Sequence, residues 1–314
     1  MLQIKNTLGG SGGNPEGSYV WKKYESIPDP YLSFIGNEEF TLKTFNTTKS
    51  WDGTLEYSTD ASTWNTWNGT EISSSGKKLY LRGTGNSQIV GSLNGRFVFT
   101  GTGVDTLRIS CEGNIENLLD YKTVRVGNHP TMIINCYAYM FKDCTSLITA
   151  PELPATTLTT GCYTCMFQNC TSLKTAPELP ATTLANSCYY QMFRGCTSLT
   201  IPPSILPSTT LADGCYRYMF EFTAIDAIPK IMATTYAAVS CEGMFDDIKT
   251  LNVYSTSGVD HTYGWTAPTS ASSYCEGMFG SDDGESEWAK LDGSNFPNNG
   301  TPTDDTTYYF KTVA

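Results

Sequence analysis

The sequence of 314 residues predicts an α+β protein: a β-sandwich followed by a short solenoid with one helix and one short strand per repeat of about 26 residues. Three observations lead there. Short alternating or β-branched runs, separated by Gly, Asn, Ser and Asp, fill residues 37–125. From residue 131 onward one motif returns again and again. Within that motif apolar residues fall four apart, the spacing of a helix face.

Taken in order, residues 1–36 read as an arm. The stretch Leu8-Gly9-Gly10-Ser11-Gly12-Gly13 has the composition of a flexible hinge, and Trp21, Lys22, Lys23 and Tyr24 follow as a compact attachment segment. Residues 37–125 supply the strands of the sandwich, with Phe40 to Phe45, Leu55 to Ser58, Lys78 to Arg82, Phe97 to Thr100 and Leu107 to Ser110 as candidates. Residues 126–280 carry the repeats and 281–314 form a C-terminal cap.

The repeats are the most informative part. Cys136-Tyr137-Ala138-Tyr139-Met140-Phe141 returns from Cys162, from Cys188 and, degenerating, from Cys215. Shorter copies begin at Cys241 and Cys275. The first five cysteines are 26, 26, 27 and 26 residues apart. Leu158, Cys162, Met166 and Cys170 define the four-residue stripe. Tyr163 and Phe167 widen it, which favours a helix over a strand, and Thr156 or Thr157 after Pro154 supplies an N-cap. Leu173 to Leu179, with Pro177 inside it, reads as the extended limb.

Eleven cysteines in so regular a ladder read as buried thiols used for packing rather than as disulfides or metal ligands. Cys162 and Cys165 form a CxxC. Cys165, however, aligns with Tyr139, Gln191 and Tyr218 in other repeats, so it is a substitution at a variable position.

Composition narrows function by exclusion. A net charge of −11 disfavours nucleic acid and anionic membrane surfaces. Only two histidines are present, His129 and His261, and no nucleophile elbow or phosphate loop appears, so no catalytic residue, metal site or cofactor is expected. The acidic clusters Asp246-Asp247, Asp282 to Glu285 and Asp304-Asp305 read as solvated loops, with calcium as the alternative. No apolar run approaches a membrane span, and the N-terminus lacks the apolar core of a secretory signal.

The unit CYxxMFxxCTSLxxAPELPATTL resembles the BspA-like leucine-rich repeats of bacterial surface and phage-encoded proteins, over residues 131 to about 280. Its size lies in the leucine-rich-repeat range. The opening Gln3-Ile4-Lys5-Asn6-Thr7-Leu8-Gly9-Gly10, with Tyr19 to Tyr24, is similar to the starts of tail-associated proteins of gut phages. The resemblance implies a non-enzymatic virion surface protein, synthesised in the host cytoplasm and displaying its solenoid for host recognition. The alternative is a bacterial surface adhesin, and a remote one a glycan-processing module.

The expected partners are a host surface protein or glycan, other virion proteins through the arm, and further copies of the chain. Candidate ligand-binding residues are Tyr139, Tyr190, Tyr218 and Arg217 at variable repeat positions, together with Trp64 and Trp67 near a turn of the β region. Exposed tyrosine and arginine beside fixed core positions are what binding surfaces use.

Overall fold

A computed structural model describes residues 30–90, 92–103, 106–280, 289–296 and 298–312. The segment carrying Trp21, Lys22, Lys23 and Tyr24 and the acidic run Asp282 to Glu285 lie outside them.

The β region forms two sheets. Strands β1 (Leu32–Gly36), β3 (Thr54–Ser58), β4 (Asn65–Trp67), β6 (Lys78–Thr84), β8 (Ile109–Glu112) and β9 (Leu147–Thr149) make a six-stranded sheet in the order β4-β3-β6-β1-β8-β9. Strands β2 (Phe40–Thr44), β5 (Ile72–Ser73) and β7 (Phe97–Gly101) make a three-stranded one, in the order β5-β2-β7. Period-two burial in β1 and β2 turns Leu32, Phe34, Phe40 and Leu42 into a shared core. Strand β1 lies within the stretch expected to be the arm, and it is an interior strand, paired with both β6 and β8.

The repeats depart from the helix-plus-strand expectation. Among the described residues there are two α-helices, α1 (Asn117–Arg125) and α2 (Ala271–Tyr274), and neither is the repeating element. No N-cap at Thr156 or Thr157 starts a helix. Each repeat instead forms a ribbon of overlapping turns. In the second, Cys162, Thr164, Met166, Gln168 and Cys170 donate their N–H groups three residues back, to Thr159, Gly161, Tyr163, Cys165 and Phe167. The alternate residues Gly161, Tyr163, Cys165, Phe167 and Asn169 donate to carbonyls of the following coil, Asn186, Cys188, Tyr190, Met192 and Arg194. An α-helix would send every N–H back four residues. Every fourth residue is left-handed, as at Gly161, Cys165 and Asn169 with φ of 65°, 52° and 60°. A turn closed by one left-handed residue repeats after four residues, so it puts Leu158, Cys162, Met166 and Cys170 on one buried face just as a helix would.

The coils stack in register. Five ribbon N–H groups cross each interface from the first coil to the sixth, and each crossing bond runs from a coil to its successor. Phe141, Phe167, Phe193, Phe220, Phe245 and Phe279 form one column with centroids 5.5–5.9 Å apart. Tyr137, Tyr163, Tyr189 and Tyr216 form another at 5.7–5.9 Å. The extended limbs are nearly strandless: Thr175 meets Ile201 in a single bridge, and β10 (Ile205–Leu206) pairs with β11 (Lys230–Ile231) in parallel.

The β region is the first layer of this stack. The Phe97 N–H donates to Met140, as Phe141 does to Met166. The Cys144 thiol donates to the Phe97 carbonyl at 3.2 Å, as Cys170 does to Phe141 at 3.1 Å. At the other end β12 (Asn252–Val253) pairs with β14 (Lys290–Leu291), which also pairs with β15 (Ser294–Asn295), and β13 (Tyr263–Thr266) pairs with β16 (Thr307–Phe310). Phe296, Tyr308 and Phe310 close over Phe279.

All eleven cysteines are free and buried. Burial pushes the thiols of Cys144, Cys188 and Cys196 up to about 12 from an ordinary 9.0. Among the described residues no helix is long and apolar enough to cross a membrane.

Candidate binding face

The ribbon presents two adjacent kinds of position. Met and Phe point inward in every coil, behind a Cys-Tyr pair in the first four that becomes Ser240-Cys241 and Tyr274-Cys275 in the last two. Between them run three columns of varied residues, some half-exposed and others, such as Ala138, Cys165, Gln168, Glu221 and Asp246, buried: Ala138, Thr164, Tyr190, Arg217 and Glu242; then Tyr139, Cys165, Gln191, Tyr218 and Gly243; then Lys142, Gln168, Arg194, Glu221 and Asp246. The backbone beneath is the same in every coil, so the columns carry whatever chemistry the sequence places there.

This geometry brings four of the expected binding residues onto one face. Tyr139, Tyr190, Arg217 and Tyr218 are all half-buried. Burial raises the pKa of Tyr139, with smaller contributions from Cys165 and Tyr190 beside it. Burial also raises that of Tyr190, against the opposing charges of Arg217 and Arg194. The Tyr218 hydroxyl donates to Glu242 at 2.8 Å, and a guanidinium nitrogen of Arg217 reaches the same carboxylate oxygen at 2.6 Å. The Tyr218 ring lies across Gly243, where an added Cβ would stand 2.2 Å from the ring. Burial works most strongly against the Arg217 charge, but the hydrogen bond and charge of Glu242, together with Tyr218, jointly outweigh it and hold the guanidinium above its ordinary pKa.

Side-chain bonds run along the columns. Lys142 donates to Gln168, Gln168 to Gln191 at 3.3 Å, and Arg194 to Glu221 through two nitrogens. Charges at both ends of the columns are paired locally, Arg96 and Lys142 with Asp143, Arg194 with Glu221 and Arg217 with Glu242. Arg96, Arg108 and Lys142 line a groove of about 530 Å³ between β7 and the first two coils, which also holds Asp143 and the hydroxyls of Thr145 and Thr171. Phe45, 49% exposed, lies at its rim with the Arg96 guanidinium 3.8 Å above the ring. At the far end Glu221, Asp246 and Asp247 bring carboxylate oxygens within 4.8 Å of one another, the only such convergence of metal-ligand atoms among the described residues. Arg194 already occupies Glu221 there.

The tryptophans fare differently. Trp67 is 2% exposed, stacks on Trp51 at 5.1 Å and donates its Nε1 to Thr70, so it belongs to the core and offers no ring face to a ligand. Trp64 is half-buried under Arg82, whose guanidinium sits 4.0 Å from its ring and 4.5 Å from that of Tyr121. Neither joins the ribbon face.

Asp304 and Asp305 are structural. Asp304 accepts the N–H groups of Ser270 and Ala271 at the start of α2, and Asp305 accepts the Thr269 hydroxyl. The basic groove escaped sequence reasoning because Arg96 and Arg108 lie some forty residues from Lys142. Only the use of β7 as a first layer of the stack brings them together.

No family model, curated protein or solved structure matches this chain.

Proposed function

We propose that the protein is a non-enzymatic recognition module that presents the ribbon face of its coil stack to a host-surface protein or glycan. One observation supports this above the rest. A strictly repeating, hydrogen-bonded backbone holds half-exposed Tyr139, Tyr190, Arg217 and Tyr218 side by side, in columns whose chemistry changes at every coil. Preformed rings restrained by neighbours lose little freedom on binding, which is how aromatic and arginine anchors supply most of an interface's energy.

The display context proposed is a phage virion, as a tail-associated component held by residues 1–29, with Trp21, Lys22, Lys23 and Tyr24 as anchors. The alternative is a bacterial cell-surface adhesin. The opening residues similar to tail-protein starts favour the first.

The test is a triple variant, Tyr139→Ala, Tyr190→Ala and Tyr218→Ala. Host-cell binding should fall at least about tenfold, with the melting temperature nearly unchanged. Binding that survives would overturn the reading. Removing residues 1–29 should leave the fold intact and release the protein from assembled particles on gradient sedimentation. Normal incorporation would reject the anchoring role.

A further inference from the structure

A cleft lies away from the ribbon face. It encloses about 710 Å³ between the limb that ends in Tyr236 and the β13–α2 segment, and none of its lining residues belongs to the ribbon columns. Tyr236, Tyr263 and Tyr274 line it as half-buried rings, with Trp265 between them. Met232, 45% exposed, stands among the lining residues.

What those rings can offer a ligand is fixed by where their polar ends already go. The Tyr263 hydroxyl donates to the Ile231 carbonyl at 2.8 Å and accepts the Ile231 N–H at 2.7 Å. The Trp265 Nε1 donates to the Tyr236 hydroxyl at 3.1 Å, and that hydroxyl donates to the Ala233 carbonyl at 3.4 Å. Tyr236 and Tyr274 are nearly parallel, 6.1 Å apart at 25°. Tyr236, Tyr263 and the buried Trp265 are therefore held in place before anything binds, and the half-buried faces of Tyr236, Tyr263 and Tyr274 remain for contact.

The rest of the lining is equally selective. It contains the hydroxyls of Thr234, Thr235, Thr266 and Thr269 and one carboxylate, Asp305, with no lysine, arginine or histidine. An anionic ligand would find no cation. A proline-rich peptide would need indole or phenol donors for its carbonyls, and those of Trp265, Tyr236 and Tyr263 are already engaged, which leaves the Tyr274 hydroxyl alone. A neutral molecule with apolar C–H faces and many O–H donors fits what is left: ring faces to stack on, and threonine and carboxylate oxygens to accept. The volume falls in the range of small-ligand sites, roughly 300–1,000 Å³.

We infer that this cleft is a binding site for a short stretch of neutral polysaccharide, independent of the ribbon face. The experiment is titration calorimetry of the full chain against maltotetraose, cellotetraose and chitotetraose. At least one should bind with a Kd of about 0.1–1 mM. Tyr274→Ala should weaken that binding about tenfold or more. Because loss of a packed ring can also loosen the fold, Thr234→Trp is the second variant: Thr234 is exposed, and the larger side chain fills the cleft without removing any core group. It should abolish binding at an unchanged melting temperature. The ribbon triple variant should bind the same sugar normally, so the two sites fail separately. The inference is overturned if no tetrasaccharide binds at about 10 mM, if Thr234→Trp leaves binding intact, or if a proline-rich decapeptide or an acidic oligosaccharide binds better than every neutral sugar.

Discussion

Phe193 and Phe222 carry the same side chain into opposite circumstances. Phe193 is fully buried in the phenylalanine column between Phe167 and Phe220. Phe222 is 42% exposed, left-handed at φ 57°, and touched by Arg194 from 5.2 Å. Phe193→Ala should cost about 3–5 kcal/mol; Phe222→Ala should cost about 1 kcal/mol or less. Urea unfolding of both variants checks the pair, and equal losses would mean the column is not what holds the coils. Val239 offers the reverse effect. It is β-branched yet left-handed at φ 47°, where its fourth-coil counterpart is Gly214 at φ 59°. Val239→Gly removes a conformational cost of about 1–2 kcal/mol and gives part of it back as unfolded-chain entropy. The denaturation midpoint should rise rather than fall, and a clear decrease would show that the Val239 methyls matter more than its backbone.

At the scale of the element, the ribbon accounts for both the success and the failure of sequence reasoning. The repeat length and the inward residues were plain from the text of the chain, because Cys162, Met166 and Phe167 must recur wherever the core recurs. The conformation was not, because two different backbones repeat a face every four residues. One signal could have separated them. Asn135 and Asp143, Gly161 and Asn169, and Ser187 and Gly195 stand eight apart at the ends of successive ribbons, and Asn, Asp and Gly are the residues that accept left-handed backbone. A helix has no reason to space them so. The middle position of each trio, Tyr139, Cys165, Gln191 or Tyr218, carries no such mark and hides the pattern. The columns of the proposed face were legible as a set of variable positions, while the basic groove required the tertiary fold. The ribbon also makes an optical prediction: far-UV circular dichroism should lack the helical double minimum. A spectrum dominated by helix would contradict the turn-and-crossing hydrogen bonds.

For the molecule as a whole, the thiol ladder links stability to alkaline pH. Cys144, Cys188 and Cys196 have folded values near 12 against an ordinary 9.0, with burial as the leading cause. Their pKa values are raised on folding, so the native state keeps protons that the unfolded chain gives up. Stability should hold below pH 9.0 and decline as pH rises from there toward 12, by up to about 1.4 kcal/mol per pH unit for each such thiol. Urea midpoints measured in steps from neutral pH upward would show the decline. A midpoint constant to about pH 10.5 would mean the thiols ionise in the native state too. Thiol-reactive dye should likewise label few sites natively and all eleven after denaturation; rapid native labelling of Cys162 or Cys188 would contradict their burial.

The hydrogen bonds that cross between coils all lie along the direction in which the coils are piled, five to each interface of the ribbon. Under tension applied at the two ends, one interface is then pulled open as a unit while its neighbours keep their own five bonds and their own pair of facing rings. Each rupture frees one repeat; the 26 residues between Phe141 and Phe167 extend by about 90 Å at roughly 3.5 Å per residue, and the 34 between Phe245 and Phe279 by about 120 Å. A chain stretched from its two ends would therefore lengthen in steps rather than part at once. In a single-molecule pulling record the stack should appear as a sawtooth of nearly equal teeth with one longer tooth for the 34-residue step from Phe245 to Phe279, a mechanical fuse with one link for each coil.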